Sequence, residues 1–203
     1  MTQSKHLILI FTRNPELGKC KTRLAKTIGD ENALTIYKLL LQHTANIVEQ
    51  LDCDKAVYYS VKIRENDLWD DSVYQKHQQK GDDLGKRMQN AFKESFKAGY
   101  EKVLIVGSDL YDLKPHHIQQ AFEQLNNNDV VIGPAEDGGY YLLGMKTLLL
   151  NIFEEKDWGT NTVRAATLND LKTKKIAQLE ILNDIDIYDD VKDYAVFKPY
   201  LNN

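Results

Sequence analysis

The chain holds only two cysteines, Cys20 and Cys53, in 203 residues; neither lies in a CxxC or near histidines at zinc spacing. A disulfide framework and a structural zinc centre are therefore excluded, and a reduced, cytoplasmic setting is expected. Prolines number four, and there is no low-complexity linker, internal repeat or block of like charge. The expectation is one domain spanning residues 1–203. No apolar run approaches the roughly 20 residues of a membrane span, and the run in HLILIFT (6–12) is too short for a signal-peptide core. A surplus of positive charge is also missing: 26 Lys and Arg against 30 Asp and Glu leave a net charge of −4. That balance counts against nucleic acid as a partner, though not against a local basic pocket for a phosphate-bearing small molecule.

Several catalytic signatures are absent too. There is no GxGxxG, so a Rossmann dinucleotide site is disfavoured, and no GxSxG or convincing Cys/His pair. The five histidines (His6, His43, His77, His116 and His117) have no metal-site spacing and read as structural or surface residues. Cys20, between Lys19 and Lys21, reads as a plain loop residue despite its basic neighbours.

What is present is an alternation of strand and helix patterns. HLILIFT (6–12) is a continuous apolar run of strand length, as expected when both faces are buried. A loop follows through Gly18. A helix then begins after Gly29-Asp30, with Asp30 as its candidate N-cap and Leu34, Tyr37, Leu40, Leu41, Thr44, Ile47, Val48 and Leu51 on one face. Strands are predicted at 56–61, 102–109, 129–134, 139–145 and 176–182, with a short one near Val73-Tyr74. Helices are predicted at 82–100, from Pro115, at 160–173 and at 189–200. This order predicts an α/β three-layer αβα sandwich with a mostly parallel sheet, in which the pair 129–134 and 139–145 introduces an antiparallel element. In such sheets ligands bind beyond the carboxyl ends of the strands.

Five segments there carry candidate chemistry. FTRNPELGKCKTRL (11–24) gathers Arg13, Lys19, Lys21 and Arg23 around Gly18, which suits a pyrophosphate; its bland reading is a solvated basic turn. It is not a Walker A loop, because Arg13 stands where glycine is needed and Cys20 where Ser or Thr should follow Lys19. Asp109, ending the strand KVLIVGSD, could hold Mg²⁺ or Mn²⁺, or simply cap a turn. IGPAEDGGYYLLG (132–144) places Glu136 and Asp137 before Gly138 and Gly139, a site-lining loop or a D-G hairpin turn. In NDIDIYDD (183–190), Asp184 and Asp186 alternate, so on an extended backbone they face opposite ways and one of them is expected to reach a metal at Asp109. Asp189 and Asp190 read as helix caps. In DWGTNT (157–162), Trp158 and Gly159 line an acceptor pocket or are a buried Trp beside a Thr160 or Thr162 N-cap.

Together GKCKTRL, DDLGKRM, GSDLYDL, GPAEDGGYYLLG, DWGTNT and DIDIYDD resemble bacterial glycosyltransferases of the A-type fold, including members linked to arsenosugar biosynthesis. More distantly they are similar to phospholactate guanylyltransferases and molybdenum-cofactor nucleotidyltransferases. The resemblance runs from about His6 to Phe197, and GPAEDGGYYLLG is its most specific piece. It implies a nucleotide-diphospho-sugar transferase fold. Arg13, Gly18, Lys19, Thr22 and Arg23 would hold the nucleotide and its phosphates. Asp109, with Asp186 as second ligand, would bind a divalent metal. Asp137 would be catalytic by position, and Gly138, Gly139, Trp158 and Gly159 would line the substrate site. Tyr111 and Ile187-Tyr188 depart from the family pattern and leave acceptor identity open. The leading expectation is metal-dependent glycosyl transfer from a nucleotide sugar to a small-molecule acceptor. The alternatives are nucleotidyl transfer from an NTP with release of pyrophosphate, and non-catalytic nucleotide binding.

Overall fold

The computed structural model describes residues 4–201, so the two ends of the expected 1–203 domain lie outside it. Seven strands form one sheet: β1 (His6–Thr12), β2 (Asp54–Tyr59), β3 (Tyr74–Gln78), β4 (Lys102–Gly107), β5 (Val130–Pro134), β6 (Tyr140–Met145) and β7 (Ile176–Gln178). Their order is β3-β2-β1-β4-β6-β5-β7. All pairings are parallel except those of β6, which runs antiparallel to both β4 and β5. The antiparallel element thus falls where the short connection between 134 and 140 leaves no room for a crossover.

The helices are α1 (Thr22–Ile28), α2 (Asp30–Glu49), α3 (Leu84–Lys97), α4 (Pro115–Gln124), α5 (Val163–Asp170) and the single turn α6 (Tyr188–Val191). Alternating residues of β1 supply the two inner faces. Ile8 and Ile10 pack with Tyr37, Leu41 and Val48 of α2 and Ile118 of α4. Leu7 and Leu9 pack with Met88, Ala91 and Phe92 of α3. The sheet is therefore covered on both sides, the three-layer sandwich that the unbroken apolar runs require. A third cluster joins α1 and α2 to Ile185, Val191 and Phe197, which clamps the C-terminal segment across the first loop.

Several boundaries differ from the sequence pattern. Asp30 is not the N-cap of α2: Gly29, at φ +82°, occupies that position, and Asp30 sits in the first turn, where its charge suits the helix dipole. The strand read at 176–182 ends at Gln178, because the register of its partner slips between Gly133 and Pro134 and Pro134 has no N–H to continue a ladder. Only the isolated bridge between Ala135 and Leu182 resumes it. The helix read at 189–200 reduces to α6 and a 3₁₀ turn over Lys198–Tyr200, since Pro199 cannot donate and Tyr194 and Phe197 turn inward against Tyr111. The helix read at 160–173 shortens to α5, whose N-cap Thr162 makes no side-chain cap bond. No helix among the described residues is long and apolar enough to cross a membrane.

Candidate active site

The carboxyl ends of β1 and β4 open onto a cleft of about 670 Å³. Arg13, Lys19, Thr22 and Arg23 line it from the first loop and α1, Asp109 from the end of β4, and Asp137 and Gly139 from the β5–β6 turn. Trp158 and Gly159 close the far wall. Segments remote in sequence therefore meet at one place.

The centre of the cleft is an ion pair. Lys21, the N-cap of α1, takes a left-handed backbone (φ 48°) that turns its side chain inward. Nζ reaches Asp109 Oδ2 at 2.9 Å, with the lysine side chain only 8% exposed. Burial alone would depress the ammonium, but Asp109, with Asp186 and Tyr37 adding, more than offsets it and the Lys21 pKa is raised. In the sequence Lys21 is one of four cations of the basic run, with nothing to set it apart. The left-handed turn that lets four cations in eleven residues point different ways is not revealed by their spacing. Arg23 makes a more exposed pair with Asp186, at 2.6 Å, the kind of contact worth little in water.

Asp184 and Asp186 both line the cleft, which corrects the expectation that they face opposite ways. The backbone here is coil rather than strand. Ile185 is buried between them, and its N–H donates to the carbonyl of Asp109, so both flanking acids are delivered to the β4 end. Asp186 is engaged by Arg23, whereas Asp184 faces the other acids. Burial pushes the Asp184 carboxyl up to about 6, with Asp137 and Asp109 adding to the rise. Asp184 therefore joins Asp109 and Asp186 as a carboxylate at the β4 end of the cleft. Asp190 accepts from the N–H groups of Asp186 and Ile187, as its capping role predicts.

This folded-state pKa lies above the ordinary carboxylate value, so the folded chain binds the proton more tightly than the unfolded one. The cost is absent at low pH and is felt as pH rises through about 6. We expect Asp184→Asn to raise the melting temperature of metal-free protein at pH 7.5 by a few degrees, about 1 kcal/mol after allowing for partial exposure. The gain should shrink at pH 5. Equal melting temperatures for variant and parent at pH 7.5 would rule this out.

Two predicted glycines act through the backbone and do not line the cleft. A Cβ on Gly18 (φ +68°) would meet the Asp30 carboxylate at 3.5 Å, and one on Gly138 (φ +90°) would stand 2.4 Å from the carbonyl oxygen of Asn161. Gly138 thus docks the β5–β6 turn on the loop that carries Trp158. Gly139 donates its N–H to Asp137 Oδ1 at 2.7 Å, which makes the EDGG run both a turn and a cleft wall. The Trp158 ring lies over Gly85 at the start of α3, where a Cβ would be 2.4 Å from it. Tyr37, read only as a core position, ties the floor together: its hydroxyl meets the Arg13 N–H at 2.9 Å and the hydroxyl groups of Thr12 and Ser108. Burial raises the Cys20 thiol, which donates to the carbonyls of Asn14 and Glu16; it is a structural loop residue.

The chemistry of the donors fits a hard divalent cation. They are carboxylates only, burial with the neighbouring Asp137 and Asp109 charges raises Asp184, and Lys21 is the buried cation facing them. Among the described residues, the one grouping of three His, Cys, Asp or Glu ligand atoms within 4.8 Å is elsewhere, at His116, His117 and Glu180. The cleft acids stand wider, as suits Mg²⁺ held by one or two carboxylates plus substrate phosphates. The histidine group is a helix cap instead. His117 Nδ1 accepts the Lys114 N–H at 3.0 Å, so Nε2 carries the proton and donates to Glu180, leaving no lone pair for a metal.

The family model described as "Uncharacterized protein conserved in bacteria (DUF2064)" matches residues 43–160. A curated relative, 2-phospho-L-lactate guanylyltransferase of Methanocaldococcus vulcanius, is 25% identical over 142 residues, 70% of this chain. The chain spans 62% of that protein's length, less than two thirds. A crystal structure from Desulfovibrio desulfuricans G20, provisionally named a nucleotide-diphospho-sugar transferase, superposes with a TM-score of 0.84 at 32% identity, covering 91% of this chain and 84% of that one. The 4-diphosphocytidyl-2C-methyl-D-erythritol synthase of Anaerococcus prevotii DSM 20548, 11% identical over 96% of this chain and 98% of that one, shares the fold with a TM-score of 0.61.

Proposed function

This chain belongs to the DUF2064 family of bacterial proteins, and from that premise we propose that it is a metal-dependent nucleotidyltransferase joining a nucleoside monophosphate unit to a small phosphorylated acceptor. The observation that carries the reading is the meeting of a four-cation loop with a group of carboxylates around the Lys21–Asp109 pair. That arrangement offers one wall for a polyphosphate and another for a cation. The guanylyltransferase relatives support the same chemistry. Glycosyl transfer, the first expectation, draws only on the general name of the D. desulfuricans protein.

In the reaction an acceptor oxygen forms a bond to the α-phosphorus of the NTP. The bond from that phosphorus to the β-bridging oxygen breaks, and pyrophosphate leaves with the electron pair. Lys19 and Arg13 hold the β- and γ-phosphates, and Arg23 joins them when it exchanges Asp186 for a phosphate. Lys21, already buried and charged, donates toward the α-phosphate where negative charge grows, an interaction that gains strength in a water-poor site. Asp109 and Asp184 would hold Mg²⁺ or Mn²⁺, which supplies charge neutralisation on the phosphates. Trp158 and Gly159 form the acceptor wall.

Incubation with each NTP, Mg²⁺ or Mn²⁺ and a panel of phosphorylated acceptors that includes 2-phospho-L-lactate should release pyrophosphate. Parallel reactions with nucleotide sugars should release no nucleoside diphosphate. The opposite pattern would return the reading to glycosyl transfer, and metal-dependent nucleotide binding with no turnover would make the protein a binding module.

A further inference from the structure

A second pocket, of about 180 Å³, shares only Thr12 and Arg13 with the cleft. It lies between α2, which contributes Lys38, Leu41 and Gln42, and the segment after β2 that holds Arg64, Leu68 and Trp69. Its charge is one-sided. Arg13, Lys38 and Arg64 face one acid, Asp67, so three positive charges less one negative leave +2. Among the described residues none of these three cations has a salt-bridge partner.

Asp67 is already committed elsewhere. It accepts the Tyr59 hydroxyl at 2.7 Å and the Trp69 N–H at 3.2 Å, and pairs with the buried Lys76 at 3.0 Å. It has little capacity left to neutralise Arg64. The floor is apolar: Trp69 is 2% exposed, and Leu41 and Leu68 lie beside it. Unpaired cations above an apolar floor call for an anion with a short apolar body, since the guanidinium forks match phosphate or carboxylate oxygens and the floor takes carbon. Three cations favour a dianion over a single charge. The volume is below the roughly 300 Å³ of an ordinary drug-sized site, which limits the body to a small one.

We infer that this pocket is a second anion site, separate from the nucleotide cleft, which takes a small phosphomonoester on Arg13, Lys38 and Arg64 with its carbon body against Trp69. Arg13 lines both spaces, so an occupant that draws its guanidinium into this pocket withdraws a cation from the cleft.

The chain has two tryptophans, so in Trp158→Phe, with excitation selective for tryptophan over tyrosine, Trp69 alone reports from the pocket floor. Phenyl phosphate is expected to change its emission saturably, with benzoate and inorganic phosphate each binding roughly tenfold more weakly or worse. Adding Lys38→Gln and Arg64→Gln, neither of which lines the cleft, should weaken phenyl phosphate by at least about tenfold, with melting temperature unchanged as the check on folding. No saturable response, or one that the double substitution leaves intact, would overturn the site. An equal response to inorganic phosphate would remove the apolar body from the inference, and an equal response to benzoate the preference for a dianion. The readout needs no turnover, so it stands or falls apart from the nucleotidyltransferase reading.

Discussion

Asp109→Asn should reduce pyrophosphate release by roughly 10²–10³-fold or more, the scale seen when one preorganised electrostatic group is removed from a catalytic site. The substitution keeps shape but removes the charge that pairs with Lys21 and would face the cation. It also leaves the Lys21 ammonium, 8% exposed, without its partner. Breaking a fully buried pair costs several kcal/mol. Here the Asp109 side chain is 37% exposed, and the asparagine oxygen still accepts one hydrogen bond, so we expect a stability loss of about 1–2 kcal/mol. Lys21→Met should lower kcat by about 10²-fold. The double variant should be far better than the product of the two single losses, because the residues act as a unit. Circular dichroism melts and single-turnover assays separate the two effects. Retention of more than about a tenth of parental turnover by Asp109→Asn would remove it from the centre of the site.

Gly138→Ala, behind the cleft wall, should cost about 2–4 kcal/mol. Two costs coincide. The backbone stands at φ +90°, and the new methyl would be placed 2.4 Å from the Asn161 carbonyl oxygen. Gly138 cannot retreat freely, because its own carbonyl oxygen accepts the Arg164 N–H at 3.2 Å, which ties the turn to α5. Relief must come by moving the 157–162 loop, which shifts Trp158 and raises KM for the acceptor more than for the nucleotide. Gly159→Ala is the control: its φ is +84°, but a Cβ there meets nothing within 4 Å. It should cost only the backbone strain, about 1–2 kcal/mol. For a chain of this length each kcal/mol moves the melting temperature by roughly 2–4 °C. Similar melting temperatures for the two variants would mean that the contact with Asn161 carries no weight.

The sequence by itself determined the layers and where the site opens. An apolar run such as HLILIFT can bury both faces only between helices, and a charge such as Asp109 at the end of KVLIVGSD can sit only where the strand leaves the core. Those are local constraints, legible from adjacent residues. The β5–β6 hairpin was equally local, since Asp137-Gly138 and the short spacing allow little else. What only the tertiary structure decided was which charges meet. Lys21 and Asp109 are 88 residues apart, and no spacing rule links them; a left-handed residue at the start of α1 turns the lysine inward. Asp184 and Asp186 both reach the cleft because buried Ile185 is pinned to the Asp109 backbone, and Arg23 takes Asp186. The EDGG run that reads locally as a turn is a cleft wall because Asn161 packs on Gly138. Each of these depends on how irregular segments pack against a finished sheet, and a pattern that repeats every two or every 3.6 residues carries no record of that packing.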